Sequence, residues 1–156
     1  MAIPDELKGC PLFYEMYEKE IEKIVKRGLV TTFESGESVV CDGEEGNEIF
    51  VVLEGRLVVQ KKTAAGIIKI APLVKGDVFG ELVLLDDKIR SADIISEDIS
   101  HILQLSYGQI FQLYEKEPRI FGVLLLNVSR LLAKRLKATN KIIVDIKKDK
   151  TNTSNL

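Results

Sequence analysis

The sequence predicts a mainly β fold: an antiparallel, jelly-roll-like β-roll with an N-terminal helix, a short helix inside it and a long C-terminal helix. Three observations predict it. Between Leu29 and Ser106 short β-branched runs alternate with glycine-bearing turns, the texture of a sandwich or barrel. On both sides of that region apolar residues recur at three and four, the period of a helix. The 156 residues fit one domain, with no internal repeat and no linker.

Taken in order, Tyr14 to Arg27 sets Met16, Ile21, Ile24 and Val25 among glutamates and lysines, an amphipathic helix stopped by Gly28. The roll, residues 29–106, carries strands at Ser38–Cys41, Glu48–Leu53, Arg56–Lys61, Gly66–Leu73, Ala92–Ile95 and Ser100–Leu105. Glu54-Gly55 between two valine-rich runs reads as a tight hairpin. A strand ending at Phe79 enters a short helix, Gly80 to Leu85. Tyr107 to Lys116 is a helix ended before Pro118, since the residue preceding proline is driven from the α region. The long helix runs from about 118 to about 147, closing a domain of residues 1–147; residues 148–156 read as a polar, disordered tail.

Composition excludes several classes. Hydrophobic residues at 46% and charged residues at 29% belong to a globular chain. A formal net charge of −2 is not that of a protein held to DNA by phosphate contacts. Cys10 and Cys41 are too few for a structural zinc site or an iron–sulfur cluster, and read as free thiols in a reducing cytosol. His101, the one histidine, cannot supply the metal site of a cupin-type enzyme. No nucleophile–base set assembles, so no enzyme is expected. No apolar run reaches a membrane span, and Met1 to Lys8 shows no signal pattern. The chain reads as soluble and cytoplasmic, with no membrane partner.

Chemistry concentrates in residues 76–92, Gly-Asp-Val-Phe-Gly-Glu-Leu-Val-Leu-Leu-Asp-Asp-Lys-Ile-Arg-Ser-Ala. After Gly80, which lets a ligand approach the backbone, the amides of about Glu81 to Val83 begin a helix without intrahelical partners and suit an anion. Arg90 can return across the loop to a phosphate, with the Ser91 hydroxyl beside it. Glu81 would repel a phosphate, so it is better explained as accepting from a ribose 2′-hydroxyl and balancing Arg90. A 3′,5′-cyclic nucleotide satisfies all of these. Spacing alone leaves open an ordinary surface ion pair between Glu81 and Arg90.

Phe79-Gly80-Glu81-Leu82-Val83-Leu84-Leu85 with Ile89 and Arg90-Ser91-Ala92 resembles the phosphate-binding cassette of the cyclic nucleotide-binding domain family. Pro11-Leu12-Phe13, Gly36-Glu37, Gly43-Glu44 with Gly46, Val52-Leu53-Glu54-Gly55 and Gly76-Asp77 agree with it. The resemblance covers Leu7 to Asp145 and is strongest to the sensor domain of the bacterial catabolite activators, whose long helix Ala133 to Asn140 also resembles. It implies that Gly80 and Glu81 hold the ribose, and that Arg90, Ser91, Ala92 and the backbone at Leu82 and Val83 hold the cyclic phosphate. Arg135, Thr139 and Asn140 would meet the base between the apolar walls Ile70 and Leu73. Thr139 and Asn140 favour adenine, hence cAMP ahead of cGMP as the ligand; no catalytic cofactor or metal is implied.

The sequence departs from the family at several points. Val83 replaces alanine, adding bulk beside the phosphate loop, and Ile89 replaces proline. Asp86, Asp87 and Asp93 add negative charge, and Asn140 stands for serine. Leu125, Val128, Leu132, Leu136, Thr139, Ile143 and Ile146 form a stripe that predicts a parallel homodimer, its first half packing on the roll up to about Leu132. The catabolite activators carry a DNA-binding domain after this helix. Only the polar tail follows here, so the expected output is helix movement read by a separate effector protein, without direct DNA binding. The alternative is a β-roll kept as a dimerisation or interaction module with an empty pocket.

Overall fold

The computed structural model describes residues 5–85 and 88–155. A short helix α1 (Asp5–Lys8), a 3-10 turn (Pro11–Phe13) and α2 (Glu18–Val25) precede eight strands. These are β1 (Leu29–Phe33), β2 (Ser38–Val40), β3 (Glu48–Glu54), β4 (Arg56–Thr63), β5 (Gly66–Val74), β6 (Val78–Phe79), β7 (Asp93–Ser96) and β8 (Ser100–Ser106). A 3-10 turn, Glu81–Leu85, follows β6, and α3 (Tyr107–Lys116) and α4 (Pro118–Ser154) close the chain. Two four-stranded antiparallel sheets, ordered β1-β8-β3-β6 and β2-β7-β4-β5, face each other as the predicted roll.

β3 explains why a half-solvated alternation is missing from Glu48–Glu54. Phe50 and Val52 point between the sheets, while Ile49 and Val51 point to the helices, so both faces are buried. The helix-side core adds Leu12, Phe13, Ile21, Ile24, Ile110, Leu113, Ile120, Leu124 and Val128. The first half of α4 therefore packs on the roll, with Leu132 at the margin. Buried Asn127 pins this helix, its Nδ2 donating to the main-chain oxygens of Leu12 (2.9 Å) and Tyr14 (2.8 Å).

Several expectations need correction. The helix predicted at Tyr14 to Arg27 is shorter, because Pro11–Phe13 makes its own turn and Glu15 adopts a left-handed φ of 63° that blocks helical continuation. Glu54-Gly55 is not a hairpin. β3 pairs with β8 and β6, β4 with β5 and β7, and the chain crosses between sheets at Gly55; the hairpin is β4–β5. β1, absent from the predicted strands, pairs along its length with β8. The short helix after Gly80 is a 3-10 turn. The long helix continues past 147 to Ser154, since the segment lacks proline and glycine; the hydroxyls of Thr151, Thr153 and Ser154 donate to carbonyls one turn back. Asp86 and Asp87, read as extra negative charge, lie outside the described residues, as do 1–4 and 156.

Candidate functional site

The cassette starts where β6 ends against β3, with Phe79 stacked on Phe50 at 4.7 Å between ring centroids. Gly80 turns the chain with φ 76° and enters the 3-10 turn. The amide of Val83 donates to Gly80 O at 3.3 Å, so that donor is engaged within the turn. The return strand is fastened to the 43–46 loop: Gly43 N donates to Arg90 O (2.8 Å), Arg90 N to Glu44 O (2.9 Å) and Gly46 N to Lys88 O (2.8 Å). Ile89 sits in an antiparallel bridge with Glu45. That ladder supplies rigidity where the family has proline.

Arg90 is brought inward by this ladder, with 10% of its side chain exposed. Its Nη2 donates to Glu48 O at 2.8 Å and reaches Glu48 Oε2 at 3.4 Å, and Nη1 reaches Gly80 O at 3.4 Å. The guanidinium carbon lies 5.5 Å from the Phe50 ring centroid. Burial pushes the Arg90 pKa down, while the neighbouring Glu48 and then Glu81 act in the opposite sense. Gly46 is required by closeness, for a Cβ there would collide with the Arg90 guanidinium.

Glu81 was expected to balance Arg90, and its hydrogen-bonded partner is different. The carboxylate, 6% exposed, accepts from Arg135 Nη1 of α4, whose Nη2 donates to Val78 O. Arg90 takes Glu48 instead, a residue of β3 that no local spacing could have flagged.

A cavity of about 420 Å³ opens between this cassette, the inner face of the β2-β7-β4-β5 sheet and α4, within the range of small-molecule sites. Of the predicted residues, Gly80, Glu81, Leu82, Arg90, Ser91, Ala92, Ile70, Leu73, Arg135 and Thr139 line it. Val83 and Asn140 do not. Val83 is wholly buried, so its bulk is not exposed to the cavity. Asn140 points away because each helical residue turns about 100°, and the inward set is Arg135, Ala138, Thr139 and Ile142. Ala138 and Ile142 were missed, although their three-and-four spacing from Arg135 was the available signal. Val40, Val59 and Ile94 complete an apolar wall that only the sheet pairing assembles. Thr139 Oγ1 donates to Arg135 O at 3.0 Å. Asp93, read as unfavourable charge, is a staple: its Oδ1 accepts from Asp42 N at 2.8 Å.

His101 Nδ1 is 2.9 Å from Thr32 Oγ1, on β8 away from the cavity. Among the described residues no group of three His, Cys, Asp or Glu side chains is arranged to hold a metal ion. None of their helices is long and apolar enough to cross a membrane.

Comparison with known proteins agrees with this geometry. The profile of the cyclic nucleotide-binding domain matches residues 30–117. A cAMP-dependent protein kinase regulatory subunit of Mycosarcoma maydis is 35% identical over 88 residues, 56% of this chain and 17% of that protein. The human cGMP-dependent protein kinase 2 is 32% identical over 96 residues, 59% of this chain and 12% of that protein. The chain thus spans a small fraction of both relatives. The crystal structure of the Thermus thermophilus catabolite activator protein superposes with a TM-score of 0.76 at 24% identity, covering 85% of this chain and 61% of that one, and shares the fold. The chain belongs to the cyclic nucleotide-binding domain family.

Proposed function

We propose that the chain is a regulatory sensor that binds cAMP in preference to cGMP and signals through its C-terminal helix, with no catalysis of its own. The observation that carries this reading is the Glu81–Arg135 ion pair, which joins the cassette to the long helix at the mouth of the cavity. A ribose hydroxyl seeking Glu81 must address a bond the helix makes, so occupancy and helix position are coupled. Arg90 and Ser91 hold the cyclic phosphate, Leu82 and Ala92 close around it, and Ile70, Leu73, Thr139 and Ile142 surround the base. Leu136 (62% exposed), Ile143 (46%) and Ile146 (51%) leave an apolar stripe on α4 that suits a parallel homodimer, with a separate effector protein reading its geometry.

The test is calorimetric titration with cAMP, cGMP and 5′-AMP side by side. Tightest binding of cAMP is expected; no binding of either cyclic nucleotide would refute the sensor reading. The dimer is tested by Leu136→Lys with Ile143→Lys, which should sediment as a monomer. One observation favours an interaction module that holds no nucleotide: Arg90 and Glu81 already have partners within the chain. Millimolar cAMP that leaves the melting temperature unmoved would support that second reading.

A further inference from the structure

Two arginines reach the cavity, and each is matched by its own carboxylate. Arg135 bonds Glu81, and Arg90 carries Glu48 behind it. Glu48 is not a wall of the cavity. It stands on the far side of the guanidinium and faces a separate polar recess of about 310 Å³ with Glu45, Asn47 and Lys88. Its Oε2 also accepts from Asn47 N at 3.0 Å, which tethers the carboxylate in place. The Glu48 carbonyl, at 2.8 Å from Arg90 Nη2, already fixes the guanidinium; the carboxylate at 3.4 Å adds charge more than placement. One layer out, Lys61 donates to Ser91 O at 3.1 Å and lies 3.4 Å from Asp42, so this cation too is paired. Glu48, Glu81, Arg90 and Arg135 together sum to zero.

From this balance we infer that Glu48 is a specificity-determining residue that filters ligands by charge, admitting a singly charged phosphate diester and disfavouring a doubly charged phosphate monoester. The inference rests on the cyclic nucleotide reading of the cavity. Glu48 touches no ligand; it acts through Arg90, lowering the positive potential the guanidinium offers. Without Glu48, two arginines would face one carboxylate and a dianion would meet a net cation. With it, each ligand charge is repelled across the guanidinium. Glu48 is 43% exposed, so the repulsion is partly screened and amounts to about tenfold in affinity per ligand charge.

Glu48→Gln retains an acceptor for Asn47 N and removes the charge. In competition titrations at pH 7.5, cAMP should bind this variant about tenfold more tightly and 5′-AMP about a hundredfold, narrowing the ratio of their dissociation constants about tenfold. A purely structural role would weaken both ligands together and leave that ratio alone. A second measurement repeats the comparison of E48Q with the unaltered chain at lower pH. A phosphate monoester regains its second proton near about pH 6. The factor by which E48Q tightens 5′-AMP should therefore fall between pH 7.5 and pH 5.5, as the dianion becomes a monoanion, while the factor for cAMP stays level. The charged groups lining the cavity are Arg90, Arg135 and Glu81, with Glu48 behind Arg90 and Lys61, Asp42 and Asp93 next to Ser91. An unchanged ratio in E48Q, or a gain for 5′-AMP that does not shrink on acidification, overturns the filter. If neither the unaltered chain nor E48Q binds a cyclic nucleotide, the functional reading fails and the filter falls with it.

Discussion

Replacing Gly80 by alanine acts on the cassette through two separable physical terms. The residue has φ 76°, where an L side chain costs about 1–2 kcal/mol. An added Cβ would stand 2.7 Å from Arg90 Nη1, 2.8 Å from Glu48 O and 3.1 Å from Phe50 Cδ2. The arginine tip can retreat. The Glu48 carbonyl cannot, being main chain of the central strand β3, and Phe50 is locked by its stack on Phe79. Overpacking of this kind adds about 1–3 kcal/mol, for a total of about 2–5 kcal/mol. Gly76→Ala is the matched control: its φ is 89° but no heavy atom lies within 4 Å, so only the backbone term of about 1–2 kcal/mol applies. Urea unfolding of both variants with linear extrapolation measures the difference. Equal losses for the two would show that the Gly80–Arg90–Glu48 approach is not as tight as described, and with it the rigid placement of Arg90 would go.

Arg90→Ala should lose at least about 2 kcal/mol of cyclic nucleotide affinity by calorimetry, because a phosphate is left unpaired in a desolvated pocket; an unchanged dissociation constant removes Arg90 from the site. Val83→Ala should cost about 1–3 kcal/mol of stability in urea, since the side chain is fully buried, yet leave nucleotide affinity of the folded chain within about twofold. Tighter binding in that variant would mean Val83 crowds the phosphate after all. Burial pushes the Cys10 thiol up from 9.0 to about 11. The unfolded chain therefore ionises first, and the stability this thiol contributes is complete below pH 9 and lost as pH rises toward 11, by about 2–3 kcal/mol. Urea midpoints for the unaltered chain and Cys10→Val, compared from pH 8 to pH 11, should show the steeper decline in the unaltered chain; parallel declines would refute the buried-thiol account.

The strands of the roll were legible because β-branched runs and glycine turns report local geometry. The helix 107–116 was legible from its returning helical period and from Pro118, and the structure adds a Ser106–Gln109 capping box at its start. Sheet membership was not, since a tight Glu54-Gly55 turn reads the same whether its strands pair or part. β1 was missed because an edge strand with outward Leu29 and Val30 lacks an alternating face. Gly80, Glu81, Arg90 and Ser91, close in sequence and named from their chemistry, line the cavity. The pairings were not legible: Glu48, which the sequence did not flag, lies 42 residues from Arg90, and Arg135, expected at the base, lies 54 from Glu81. Asn140 and Ile142 show the same limit at finer grain, for two positions along a helix reverse what faces the cavity.

Asn127 fastens α4 near its first third, and beyond Leu132 Arg135 ties the helix once more to Glu81 and Val78. From that fulcrum to Ser154 the rod extends about 40 Å at 1.5 Å per residue. A tilt of about 10° at the pin would sweep the far tip through about 7 Å over such an arm. Arg135 lies about 12 Å from that pin at 1.5 Å per residue, so any shift of the helix there would be about threefold larger at its far tip.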